Sequence, residues 1–110
     1  MAISVADVGT LTLSGSEQTV GSARTDGKTY VLQLDLNTMA AGDVVEVYVY
    51  AKTNTASGTA RLLDKLYFAD AQGDPVWQSV PIAAPYSLEF KAKQPTGTAR
   101  TIELCLFSID

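Results

Sequence analysis

The sequence predicts an all-β protein, an antiparallel β-sandwich or jelly roll of about eight strands forming one domain over residues 1–110. Three observations carry that expectation. Apolar and polar residues alternate with a period of two along most of the chain, as they do on a strand with one buried face. Turn signals built from Gly, Pro, Asp and Asn interrupt the alternation at short intervals, which suits adjacent antiparallel strands better than crossover helices. The chain has 110 residues, 46% of them hydrophobic. A domain of that size can bury a real core and hides roughly 60–70% of its unfolded surface.

The elements follow in order. TLTLS (10–14) and EQTVGSA (17–23) read as short strands split by Gly15. After the Asp26-Gly27 turn, KTYVLQLDL sets Tyr30, Leu32, Leu34 and Leu36 against Val31, Gln33 and Asp35, a half-buried strand by pattern. NTMAAGD is a short link. GDVVEVYVYAKT then places Val45, Val47, Val49 and Ala51 on one face, with Val44, Glu46, Tyr48, Tyr50 and Lys52 on the other. TNTASGTA (53–60) is small, polar and expected to be a mobile loop. ARLLDKLYFAD allows a helix, because Leu62, Leu63 and Leu66 are suitably spaced. Tyr67, Phe68 and the AQGDP turn that follows favour a strand.

PVWQSV is a short strand opened by Pro75, where a missing N–H does least harm. PIAAP breaks the pattern. YSLEFKAK places Tyr86, Leu88, Phe90 and Ala92 on one face, and QPTGTA is a loop. The closing strand RTIELCLFSID carries Ile102, Leu104 and Leu106 on its core face, with Cys105, Phe107 and Ile109 opposite.

Composition excludes several chemistries. There is no histidine, so no Ser-His-Asp triad, His-paired cysteine or His-based metal site is available. The single cysteine, Cys105, forbids an internal disulfide and sits in an apolar strand, where a thiol behaves as a small hydrophobe. No glycine-rich phosphate cradle occurs. The acids fall in turns (Asp26, Asp43, Asp70, Asp74) or on polar faces (Asp35, Glu46, Glu89, Glu103), as solvated surface does. An enzyme is not expected, nor is a cofactor. In DAQGD (70–74) two carboxylates flank a glycine turn, too few oxygen ligands to define a calcium site. The net charge is −4, with scattered cations, so neither nucleic acid nor membrane is an expected partner. The start MAISVADVGTLTLS has no basic n-region and no long apolar run, so neither a signal peptide nor a membrane helix is expected there, and synthesis in a cytoplasm is.

What remains is a surplus of apolar groups on faces that a two-layer sandwich turns outward. Tyr48 and Tyr50 are one case, Phe107 and Ile109 the other. Tyrosine joins apolar area to a hydrogen-bonding tip and is enriched at interfaces. These four residues are therefore candidate contact residues, although cross-strand packing on a wet face would also account for the tyrosines. Trp77 is open to two readings, a contact or sugar-stacking residue and a core plug at a sheet edge.

YVLQLDLNTMAAGDVVEVYVYAKT and the ending PYSLEFKAKQPTGTARTIELCLFSID, with the start MAIS, resemble the small jelly-roll capsid decoration (cement) proteins of tailed bacteriophages. The resemblance implies a non-enzymatic, cofactor-free virion protein on the outer capsid surface. Its partners would be further copies of itself, as a trimer, and the major capsid protein. Tyr48, Tyr50, Phe107 and Ile109 would then lie at subunit or capsid contacts. The alternative is a carbohydrate- or receptor-binding β-sandwich module of a phage tail or fibre, with Trp77 and the tyrosines as stacking platforms.

The register itself is testable by denaturant unfolding. Leu34→Ala is expected to cost about 2–5 kcal/mol as a core truncation, and Gln33→Ala to stay within about 0.5 kcal/mol. Equal costs would place the strand in the wrong register.

Overall fold

The computed structural model describes residues 2–54 and 57–109. The loop expected over 53–60 includes Thr55 and Ala56, which lie outside the described residues. Nine strands and no helix are found among them: β1 (Ile3–Thr12), β2 (Gln18–Thr19), β3 (Thr29–Asp35), β4 (Val44–Ala51), β5 (Arg61–Ala69), β6 (Val76–Gln78), β7 (Ile82–Ala83), β8 (Leu88–Thr96) and β9 (Thr101–Ile109). They form two sheets, one ordered β1-β9-β3-β6 with β7 also on β3, the other β2-β8-β4-β5. All pairings are antiparallel.

The topology is that of a hairpin wound up on itself. β4 pairs β5, β3 pairs β6 and β7, β2 pairs β8, and β1 pairs β9, each pair enclosing the one before. Rolling that hairpin adds the β3–β9 and β4–β8 pairings and completes the five-stranded and four-stranded sheets, packed face to face. With β6 and β7 counted as one interrupted strand this is an eight-stranded jelly roll.

Strict alternation fills the space between the sheets. Leu32, Leu34, Val45, Val47, Leu88, Phe90, Ala92, Ile102 and Leu106 are all fully buried in one cluster with Tyr30, Leu36 and Leu104. Burial of each large apolar side chain contributes roughly 1.5–3 kcal/mol. The 61–69 segment is strand, not helix, because β4 offers it a continuous ladder from Val44↔Ala69 to Ala51↔Arg61.

Several expectations need correction, among them the QPTGTA loop, whose Gln94–Thr96 continue β8. The N-terminal segment is a ten-residue strand beginning at Ile3, not one beginning at Thr10. Its period-two signal is broken because Ala6 bulges out between the pairs Val5↔Phe107 and Asp7↔Leu106. The strand expected over 17–23 shrinks to Gln18–Thr19, since Gly21 turns the chain at φ 76° against Asp7. Within PIAAP, Ile82 and Ala83 pair with β3, while Tyr86 precedes β8 and is exposed rather than sharing the Leu88 face.

Two polar clusters fix the links. At one end the Tyr30 hydroxyl donates to Asp26 at 2.6 Å and accepts from Arg24 Nε at 3.1 Å. Ser22 donates from N and Oγ to Asp7 at 3.1 and 2.8 Å, tying the β2–β3 link to the β1 bulge. At the other end Asp43, expected in a solvated turn, is only 1% exposed. Its carboxylate accepts from Ala40 N at 2.8 Å, Arg100 Nε at 2.6 Å and Thr98 N at 3.1 Å. Gly97 makes room: at φ 103°, a Cβ there would lie 2.7 Å from the Asp43 Cα. Asp43 is buried because those donors replace its water.

The Ala40 N–H first, then Arg100 and Thr98, hold the Asp43 carboxyl below its ordinary value of 3.8, against the opposing effect of burial. A folded-state pKa below the unfolded one gives stability that is complete above the unfolded value and lost as pH falls through the folded one. Asp43→Asn is therefore expected to be less stable than the parent at neutral pH but to lose less on acidification below about pH 4. Denaturant midpoints measured across that range check this, and parallel pH profiles would rule Asp43 out as a contributor to the acid limb.

Candidate docking surfaces

The sandwich has two outer faces, and they differ in kind. On the β2-β8-β4-β5 sheet, Tyr48 and Tyr50 do lie on the outer side of β4, opposite Val45, Val47 and Val49. β4 is a central strand, however, so neighbours on both sides close over them. Tyr48 is only 7% exposed. Its hydroxyl donates to Glu46 Oε1 at 3.0 Å, and Lys65 Nζ stands 5.3 Å from its ring centre. The Tyr50 ring stacks beside it at 6.3 Å, with Lys91 Nζ 5.4 Å from the Tyr50 ring centre.

Charges of both signs interleave around these rings. Glu46 pairs with Lys65 at 2.8 Å and approaches Lys93 at 3.9 Å. Lys65 first, then Tyr48 and Lys93, hold the Glu46 carboxyl below its usual range despite its burial. Thr19 Oγ1 donates to Glu89 at 2.6 Å. The tyrosines thus act as cross-strand packing between rows of opposite charge. As a contact surface this region is weaker than the alternation suggested, because Tyr48 has almost no free area.

Trp77 resolves in the same direction. It stands opposite Leu34 on the inward face of β6, packs against the core and meets Phe68 edge to face at 5.5 Å and 69°. Its free edge lines a groove of about 120 Å³ with Val49, Leu66, Val80 and Ile82 at the open side of the sandwich. In DAQGD, Asp70 adopts φ 63° and accepts the Gly42 N–H at 2.8 Å, a turn-stabilising contact. No group of three or more metal-ligating side chains occurs among the described residues.

The outer face of the β1-β9-β3 sheet is different. Phe107 and Ile109 are half-buried there, paired across the ladder with Val5 and Ile3, and Val31 lies on the other side of Phe107. Val8 stands opposite the half-buried Cys105. Ile3 is 67% exposed, Val5 61% and Val8 75%. β1 therefore extends the apolar face sideways and leaves its outer side uncovered. Ile3, Val5 and Val8 are contact candidates that alternation along the chain does not expose, since the Ala6 bulge puts Val5 and Val8 on one face at odd spacing. The ladder from β9 is what reveals them.

Farther along the same face the character turns acidic. Asp35 and Glu103 stand directly opposite each other on β3 and β9. They flank a shallow concavity of about 240 Å³ that Val8, Gln33, Val76 and Cys105 complete. A second exposed apolar strip, Leu62, Leu63 and Tyr67, lies along the edge strand β5. Leu63 is the extra residue of a bulge there, between Val49↔Asp64 and Tyr50↔Leu62.

One measurement checks the interleaved face. The Tyr50 hydroxyl donates to Glu17 at 2.7 Å, and that bond first, with burial second, pushes its pKa up to about 12. In an ultraviolet titration, Glu17→Gln is expected to bring the Tyr50 phenolate in nearer the ordinary value of 10.0. An unchanged titration would mean that Glu17 does not hold the ring.

No protein-family model, curated protein or solved structure matches this chain.

Proposed function

We propose that this chain is a non-enzymatic structural protein that docks on the outside of a larger protein shell, as the phage capsid decoration proteins it resembles do. The observation that carries the reading is the outer face of the β1-β9-β3 sheet, where Ile3, Val5 and Val8 stand exposed beside Phe107 and Ile109. A closed sandwich has no use for an apolar face on the outside of one sheet, and such faces mark interaction surfaces. In this reading the major capsid protein covers that face. The protein is made in the host cytoplasm and ends on the outer surface of the virion, with no cofactor, nucleic acid or membrane involved.

Self-association belongs to the other sheet. Leu62, Leu63 and Tyr67 give the β5 edge an apolar strip that a neighbouring copy can cover, and a trimer is the assembly we assign to it. Because the two surfaces lie on opposite sheets, both can be occupied at once. Phe107 and Ile109 make shell contacts, while Tyr48 and Tyr50 stiffen the sheet behind the β5 edge. The carbohydrate-binding alternative is less favoured, since Trp77 packs against the core and Tyr48 is covered, which leaves the half-buried Tyr50 as its main stacking ring.

The test uses light scattering and co-sedimentation. The protein is expected to keep one oligomeric mass over a wide concentration range and to pellet with shells assembled from the major capsid protein. Val5→Lys with Val8→Lys is expected to abolish pelleting without changing that mass. A monomer at every concentration that stays in the supernatant would overturn the reading.

A further inference from the structure

The five strands of the β1-β9-β3 sheet contain no Lys or Arg, whereas the other sheet carries Arg61, Lys65, Lys91 and Lys93. Of the acids in the first sheet, Asp7 points inward and is held by Ser22, with Arg24 at 3.9 Å. That leaves Asp35 and Glu103 on the outer face, directly opposite each other across β3 and β9. Neither has an ion pair among the described residues. Like charges at directly opposed positions destabilise a ladder. A cation from elsewhere would remove that penalty.

We infer that this face docks a protein surface presenting a basic side chain, an arginine above all, which enters the concavity between Asp35 and Glu103 while apolar groups beside it cover Val5, Val8 and Phe107. The inference rests on the reading of this face as a docking surface and names the chemistry of what docks. Guanidinium suits the site because its planar fork can engage two carboxylates at once. Glu103 and Phe107 are four residues apart on β9, so the basic anchor and the apolar patch of the partner lie about 13 Å apart.

A second copy of this chain meeting the same face about a two-fold axis is disfavoured. It would bring no cation, and it would press the acid pair of each copy onto the apolar end or the acids of the other. The area is adequate for a foreign partner. Strands about 4.8 Å apart, about 30 Å long for β1 and β9 and shorter for β3 and β6, present on the order of 500 Å² in plan. A standard interface takes about 800 Å² per partner, counted over the corrugated surface.

The test follows the amide resonances of the intact labelled protein during titration with N-acetyl-arginine amide. The neutral isostere N-acetyl-citrulline amide and calcium chloride serve as comparisons. Saturable shifts at Gln33, Asp35, Glu103 and Cys105 are expected, with citrulline binding at least roughly tenfold weaker, as loss of a charge-assisted bond implies. Asp35→Asn with Glu103→Gln, verified as folded by its thermal melt, is expected to lose the arginine response by a similar factor. Equal responses to arginine and citrulline, or none to either, would overturn the inference. A calcium response matching that of arginine would reassign the pair to a metal ion. Concentration-dependent shifts of the same amides without any probe would assign the face to a second copy. Shell binding is measured separately, so loss of the arginine site and loss of the docking function are distinguishable.

Discussion

The carboxylate of Asp43 is the point at which three links of the roll meet. Through Ala40 N it closes the β3–β4 link, and through Thr98 N and Arg100 it holds the β8–β9 link. Its own carbonyl accepts the Asp70 N–H at 2.8 Å, where β5 ends. Asp70 in turn accepts Gly42 N. Edges and apolar packing alone leave the relative rotation of two sheets loosely specified. A buried carboxylate with this many directional partners fixes it, because any displacement leaves a charge without water or hydrogen bonds. The glycine at 97 belongs to the same constraint, since no other residue could lie so close to Asp43.

With that end fixed, the sheets part ways electrostatically. The Tyr48–Tyr50 face balances its charges internally: each carboxylate near the rings meets a lysine, a hydroxyl or a tyrosine hydroxyl. The opposite face keeps its apolar groups and its two acids unbalanced. A protein whose outer surfaces were both saturated would gain nothing from contact. Here the charges around the tyrosines are paired within the chain, whereas Asp35 and Glu103 on the opposite face have no ion pair among the described residues.

The core was legible because parity survives wherever strands run without interruption. Tyr30, Leu32 and Leu34, the three inward valines of β4, Leu88 with Phe90, and Ile102, Leu104 and Leu106 all fall inward as alternation demands. Legibility failed at bulges. Ala6 and Leu63 each add a residue, so the exposed Val5, Val8 and Leu62 drop out of register with their neighbours in sequence. It failed again where a residue type suits two environments. Asp43 looks like turn chemistry until the donors from residues 98 and 100 arrive from the far end of the chain. Tyr48 looks free until Lys65 and Lys91 fold over its sheet. Both depend on partners many residues away, which no local pattern encodes.

The nested pairing also sets an order of events. Closing a loop costs more entropy the longer it is, so the β4–β5 pair at the tip has the cheapest closure. β3 with β6, β2 with β8 and finally β1 with β9 enclose progressively more chain. Folds dominated by such distant pairings form slowly. By this argument the last strand to zip, and the first to fray, is β1, whose Ile3 meets Ile109 across almost the whole sequence. The strand that carries the exposed valines is thus also the one whose pairing closes the longest stretch of chain. Anything that grips it acts as a latch on the entire roll, and resistance to unfolding would then be set at the point of contact.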